Sequence, residues 1–316
     1  MKKILLPEKI TDAGLDLLKA KAQIVISKSI AEEAILDEIH DTFGIVLRSA
    51  AKITRRILEN APNLKVISRT GAGYDNVDVQ AATDHGVMVC NLPGINTVSV
   101  AEHTIAMIFS LMKSLPTMDS YVRNGEWKRR SQYISMEVEG KVLGIVGLGK
   151  IGHEVMKKAK ALGLNIIIYD PYMKGKVDAF FIDSLDELFI KADIITIHVP
   201  NLPETAGMID DRLLGLMKPT AYIINTSRGE VVNEDALINV LKSKKIAGAG
   251  LDVFINEPIS MKNPLIGMDN VLLSPHTAAL TKECGLKMTI EAVKQVIDVI
   301  EGKVPQYIVN RSDLNL

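Results

Sequence analysis

Cysteine is nearly absent from this chain of 316 residues: only Cys90 and Cys284 occur. Two thiols are too few for a disulfide framework or a structural zinc site, and a reducing cytoplasm is expected. Neither sign of charge is in excess. There are 37 basic and 38 acidic residues, for a formal net charge of −1. No nucleic-acid partner and no membrane partner is therefore expected. No uninterrupted apolar stretch approaches the ~20 residues of a membrane span. The start Met1-Lys2-Lys3 has the charge of a signal peptide, but the apolar run after it is three residues long, and it reads as a first strand. The histidines lack metal-ligand spacing, so no metal is expected. Repeats and low-complexity segments are also missing.

What is present is an ordinary globular composition, 47% hydrophobic and 24% charged, in a chain long enough for about two domains. Short apolar runs at residues 4–6, 24–26, 45–47, 66–67 and 87–89 alternate with helical patterns at 11–20, 30–40 and 54–60. That alternation predicts parallel strands with crossover helices. Residues 98–112 follow, apolar nearly all round, and such a helix must be buried on more than one side. Six more strand signals then appear, at 142–146, 166–169, 194–198, 221–225, 247–253 and 271–273. A last helical pattern at 283–301 is expected to return to the first domain. The expected fold is α/β, with two doubly wound parallel sheets. One domain comprises 1–97 plus 284–316, and a dinucleotide-binding domain at 98–283 is inserted in it.

The most informative stretch runs from Lys141 to Gly152. A buried strand leads into Gly147-Leu148-Gly149-Lys150-Ile151-Gly152, at the start of a helix. Gly147 allows a tight turn. Gly149 lets backbone approach a pyrophosphate, and Gly152 lets helix and strand pack closely. The helix N-terminus offers amides and a positive dipole end to phosphates. An acid is expected about 20 residues on, at the end of the next strand. Asp170 stands there, 18 residues after Gly152. Its carboxylate suits ribose hydroxyls and repels a 2′-phosphate, so the expected cofactor is NAD.

Ligands in open α/β sheets bind beyond the carboxyl ends of the strands. Three strands of the second series run into polar residues there: Arg228, Asp252 with Glu257, and His276. A 2-hydroxy acid needs a fixed cation, which Arg228 supplies. It also needs a base for its hydroxyl proton, and a histidine such as His276 works near neutral pH. Glu257, bonded to His276, would fix the ring. His103, on the apolar helix, reads as a satisfied buried or interface group. His198 ends a strand near the cofactor and matches no catalytic position.

Several motifs in order now carry a resemblance. They are Val46-Leu47-Arg48-Ser49-Ala50, Arg69-Thr70-Gly71-Ala72-Gly73-Tyr74-Asp75-Asn76-Val77-Asp78, Asn96-Thr97-Val98-Ser99-Val100-Ala101-Glu102-His103, the glycine turn, Asn225-Thr226-Ser227-Arg228-Gly229, Leu251-Asp252-Val253-Phe254 with Glu257-Pro258, and Pro275-His276. From about residue 48 to residue 276 the chain resembles the D-2-hydroxyacid dehydrogenases, closest to their 3-phosphoglycerate dehydrogenase branch. The resemblance implies that Arg228, Glu257 and His276 are the catalytic three. It implies that backbone around Gly71, Ala72 and Gly73 receives the substrate carboxylate, with Asn96 nearby. It places Asp252 on the nicotinamide carboxamide, Thr226 and Val199 in the cofactor site, and Lys150 and Ile151 on the pyrophosphate side. Arg48, Ser49 and Arg69 resemble the phosphoglycerate branch, where positive charge meets a phosphate. The implied reaction is NAD-dependent oxidation of 3-phospho-D-glycerate to 3-phosphohydroxypyruvate, in serine biosynthesis, by a cytoplasmic homodimer. Tyr74 and the run 277–280 depart from that branch. Tyr74 leaves open a glyoxylate/hydroxypyruvate reductase or another small D-2-hydroxyacid dehydrogenase. A third alternative is a non-catalytic, NAD-responsive binding protein. The chain ends after one return helix, so feedback through an appended domain is not expected.

Overall fold

The computed structural model describes every residue except Tyr133. The chain divides into two compact units: Met1–Asn96 with Leu280–Leu316, and Thr97–Ala279.

The first unit has strands β1 (Lys2–Leu6), β2 (Ala22–Ile26), β3 (Gly44–Leu47), β4 (Val66–Arg69) and β5 (Met88–Cys90). They form one parallel sheet in the order β2-β1-β3-β4-β5. Strands covered on both faces carry apolar residues at every position, and β3 is buried throughout. Leu5, Ile45, Leu47, Ile67 and Val89 face a core shared with helices α2 (Glu32–Ile39), α3 (Arg55–Glu59) and α4 (Val79–Asp84). Ile4, Leu6, Val46 and Val66 face the other core, shared with α1 (Asp12–Lys19). The C-terminal helix (Lys282–Ile300) packs on this same face through Met288, Ala292, Val293 and Val296.

The second unit begins with α5 (Thr97–Met112) and α6 (Leu115–Arg123). Its strands are β6 (Val142–Val146), β7 (Asn165–Tyr169), β8 (Ile194–Ile197), β9 (Tyr222–Asn225), β10 (Gly248–Leu251) and β11 (Val271–Leu273), with α7 (Lys150–Ala161), α8 (Leu185–Lys191), α9 (Asp211–Leu216) and α10 (Glu234–Lys242) between them. The six strands are parallel, in the order β11-β10-β9-β8-β6-β7. Phe181 adds a single parallel bridge to Ile168, on β7. With that bridge counted as a strand, the connection reverses direction at β6, as in a doubly wound dinucleotide fold. Helices α8, α9 and α10 cover one face, and α5 and α7 cover the other.

Helices α4 and α6 fall outside the helical patterns read at 11–20, 30–40, 54–60 and 98–112. No helix among the described residues is long and apolar enough to cross a membrane.

Candidate active site

The glycine turn leaves the carboxyl end of β6. Gly147 has φ +90°, a left-handed conformation, and a Cβ there would lie 2.7 Å from Val199 Cγ1 and 2.8 Å from the His198 carbonyl oxygen. A Cβ on Gly152 would lie 2.2 Å from the Gly147 oxygen, so only glycine lets α7 sit against the turn. A Cβ on Gly149 would meet nothing within 4 Å. Gly149 is also the N-cap of α7 and supplies no side-chain acceptor to the first-turn amides. Two glycines are thus enforced by packing, and the third opens onto free space beside an uncapped helix end. That cradle fits a pyrophosphate. Lys150 starts the helix and Ile151 packs into the core beneath α5 and α7.

Asp170 follows β7 and braces the turn. Its Oδ2 accepts from the Leu148 amide at 2.7 Å, and its Oδ1 accepts from the Tyr172 and Met173 amides at 2.9 and 3.0 Å. An ionised carboxylate has about four acceptor sites, so it retains capacity for a hydroxyl. The brace itself was not legible in the sequence. Val199 follows β8 and touches the turn. Burial pushes the His198 ring down to about 3, so it is neutral at ordinary pH, and its Nε2 sits 2.9 Å from Thr196 Oγ1. Thr226 is buried and pairs with Thr104 Oγ1, on α5, at 2.9 Å.

The strand ends of β9, β10 and β11 bring the expected catalytic three together. Asn225 grips the turn after β9: its Oδ1 accepts from Ser227 N and Oγ, and its Nδ2 donates to the Arg228 carbonyl at 2.8 Å. Arg228 Nη1 donates to the Ser227 carbonyl at 2.8 Å. Gly229 then lies flat on the next loop. A Cβ there would be 2.1 Å from Phe254 C and 2.3 Å from its oxygen. The same loop presents Glu257, whose Oε1 accepts from the Phe254 amide at 3.0 Å. Its Oε2 lies 2.7 Å from His276 Nδ1. An ionised carboxylate only accepts, so Nδ1 carries the hydrogen, and Nε2 of the half-exposed ring is bonded to no described residue. Partial burial pushes the Glu257 carboxyl up. The hydrogen bonds from His276 and the Phe254 amide, with the charges of His276 and Arg228, outweigh burial and hold it below its ordinary range. The pair is therefore a carboxylate orienting an imidazole, with a guanidinium close enough to act on the carboxylate.

Asp252 sits behind His276, fully buried. Its Oδ1 accepts from Ser274 Oγ at 2.6 Å and the Thr277 amide at 2.8 Å, and its Oδ2 accepts from the Ala278 amide at 2.9 Å. The resemblance implies that Asp252 also contacts the nicotinamide carboxamide. The structure gives its carboxylate to the loop that carries His276.

In the first unit, Arg48 and Ser49 follow β3 and are exposed. Arg48 Nη1 donates to the Lys9 carbonyl at 3.1 Å. Residues 71–73 follow β4, the strand paired with β3. The Gly71 carbonyl accepts from Leu92 N at 2.9 Å and the Ala72 carbonyl from Asn91 Nδ2 at 2.7 Å. These bonds fix the peptide planes, while the amides of Ala72, Gly73 and Tyr74 donate to no acceptor among the described residues. Successive free amides in a turn suit an anion. Asn96 ends the unit's first segment, with its Oδ1 buried and unpartnered. Asn91 is the residue that sequence reading missed here, although a polar residue closing a buried strand is a signal in itself.

Comparison with known proteins gives a consistent result. Residues 105–278 match the family described as D-isomer specific 2-hydroxyacid dehydrogenase, NAD binding domain. A D-3-phosphoglycerate dehydrogenase of Synechocystis is 40% identical over 314 residues, covering 98% of this chain and 56% of the relative. This chain spans between half and three-fifths of the length of the curated relatives it matches. Among solved structures, the D-lactate dehydrogenase of Aquifex aeolicus, complexed with NAD and lactic acid, superposes with a TM-score of 0.87 at 28% identity, over 98% of this chain and 99% of that one. An NADPH-dependent glyoxylate/hydroxypyruvate reductase from Sinorhizobium meliloti, in complex with citrate, superposes with a TM-score of 0.89 at 27% identity, over 98% of each chain.

Proposed function

The chain belongs to the D-isomer specific 2-hydroxyacid dehydrogenase family, and from that premise we propose that it interconverts a D-2-hydroxy acid and its 2-keto acid, with 3-phospho-D-glycerate as the substrate. The observation that carries the reading is the 2.7 Å contact between Glu257 and His276 Nδ1, which leaves Nε2 available to a hydroxyl. In oxidation, Nε2 takes the hydroxyl proton. Glu257 stabilises the imidazolium that forms, and Arg228 holds the oxygen and the charge that develops on it. The nicotinamide ring, when bound, supplies the hydride acceptor. In reduction the protonated ring returns the proton. The products of oxidation are the 2-keto acid, a reduced cofactor and one proton, so charge and atoms balance.

The open face at Gly149, the uncapped start of α7 and Asp170 support NAD as the cofactor. For the first unit we propose an anion role. The amides of Ala72, Gly73 and Tyr74, with the exposed Arg48, suit the carboxylate and phosphate of a phosphorylated acid. The Synechocystis relative's name supports that choice of substrate.

Initial rates with 3-phosphohydroxypyruvate, hydroxypyruvate and glyoxylate, each with NADH and with NADPH, test the whole proposal. The phosphorylated acid with NADH is expected to be fastest, with NADPH at least about tenfold poorer because its 2′-phosphate meets Asp170. Equal or better rates with the unphosphorylated acids would move the assignment to a general reductase, with Tyr74 as its marker and Arg48 a structural residue. A preference for NADPH would overturn the role of Asp170.

A homodimer is part of this proposal, supported by exposed Leu115, Val122, Trp127 and Ile134, which follow one another on the second unit. Light scattering is expected to give twice the chain mass, and a monomer would remove it.

A further inference from the structure

His276 has φ +52°, a left-handed backbone that a non-glycine residue adopts only when its surroundings hold it. Its amide donates to the Asp252 carbonyl at 2.8 Å, and the Asp252 carboxylate grips Ser274, Thr277 and Ala278 around it. One more side chain enters this grip, from α5. His103 Nε2 lies 3.0 Å from Ser274 Oγ and 3.7 Å from Asp252 Oδ1.

Counting protons sets the direction of these bonds. A serine hydroxyl has one hydrogen. The short 2.6 Å contact assigns it to the Asp252 carboxylate. Ser274 Oγ must then accept from His103, so Nε2 carries a hydrogen and presents it to Ser274 with Asp252 just beyond. The chain of donors runs His103 to Ser274 to Asp252, and Asp252 holds both sides of His276. The anchor is firm, because α5 packs against β9, β10 and α7. The next residue, Thr104, bonds Thr226 at the end of β9. Two adjacent residues of one helix thus pin two strand ends, one leading to Arg228 and the other to His276.

We propose that His103 is a positioning residue for His276: through Ser274 and Asp252 it fixes the 274–278 loop and thereby the direction of the imidazole Nε2. Its effect on turnover rests on the function proposed above; its hold on the loop rests on the hydrogen bonds alone.

Three variants and two readouts test it. His103→Leu fills similar space and offers no donor. His103→Gln restores an amide N–H at similar reach. Ser274→Ala breaks the same link from the other side. Hydrogen exchange over residues 274–280 reads the loop. The kcat and KM with the best 2-keto acid read the chemistry. In His103→Leu and Ser274→Ala, exchange at 277 and 278 is expected to rise about tenfold and kcat to fall about tenfold, with the KM for NADH unchanged, since one buried hydrogen bond is lost. His103→Gln is expected to stay within about threefold of wild type in both readouts. The double variant His103→Leu/Ser274→Ala is expected to be no worse than either single one, because both remove one link. Unchanged exchange and kcat in His103→Leu would overturn the proposal. So would a Gln variant as impaired as the Leu variant, or fully additive losses. If wild type turns over no 2-keto acid, the proposed function fails, and the exchange readout by itself still decides whether His103 holds the loop.

Discussion

Replacing His276 with asparagine is expected to lower kcat about 10³-fold while NADH binding stays within about threefold of wild type. Asparagine is the informative choice. Position 276 has φ +52°, and asparagine tolerates that region better than alanine. A loss in His276→Ala would mix missing chemistry with backbone strain of about 1–2 kcal/mol. The asparagine amide reaches about as far as Nδ1, so the bond to Glu257 is retained. What disappears is Nε2, the atom proposed to carry the proton. The effect belongs in kcat, because proton transfer matters in the transition state and little in the bound ground state. The companion change Glu257→Gln keeps an acceptor for the Phe254 amide and removes the negative charge. It is expected to cost about 10- to 100-fold, the value of a charge-assisted hydrogen bond. Stopped-flow single-turnover rates with 3-phosphohydroxypyruvate and NADH check both. Turnover in His276→Asn within threefold of wild type would sink the assignment of the base.

How much of this site could be read before the fold was known depends on how local each signal is. The glycine turn and Asp170 were legible because strand, turn, helix and acid lie within about 30 residues of one chain segment. Arg228, Glu257 and His276 were legible as strand-end residues, because parallel sheets put ligands at the carboxyl ends. The C-terminal helix showed its period, with Ile290, Val293, Val296, Ile297 and Ile300 at helical spacing. What escaped is pairing across long separations. His103 meets Ser274 across 171 residues, and Thr104 meets Thr226 across 122. Hydrophobic periodicity reports which face is buried and says nothing about which polar atoms meet there. The grip of Asp252 escaped for the same reason. Its carboxylate is fully buried, and its donors are supplied by a loop more than twenty residues away. Gly229 had a visible signal, a glycine directly after the key arginine, but the backbone it lies against comes from another strand end.

That contact sets the second large expectation. In Gly229→Ala, the new Cβ would lie 2.1 Å from Phe254 C and 2.5 Å from Ile255 N. Both neighbours are backbone, so no side-chain rotation relieves the clash. Either the turn holding Arg228 or the loop leading to Glu257 must shift. A displacement near 1 Å at a reacting group costs about 100-fold. The loss is expected in kcat/KM for the 2-keto acid, with the affinity for NADH nearly unchanged, because the glycine turn lies on a different strand end. Overpacking costs about 1–3 kcal/mol, so Tm is expected to fall by several degrees as well. Gly152→Ala is the matched control for a clash of similar severity. Its Cβ would meet the Gly147 carbonyl at 2.2 Å, so it pushes α7 away from the turn. It is expected to weaken NADH binding about 100-fold, while single-turnover chemistry at saturating NADH falls much less. The two variants should therefore separate, one on the keto-acid side and one on the cofactor side. NADH fluorescence titration alongside keto-acid kinetics reads this directly. If both variants lose the two functions in the same proportion, the damage is general unfolding, and the division of labour between the β6 turn and the β9–β11 strand ends is wrong.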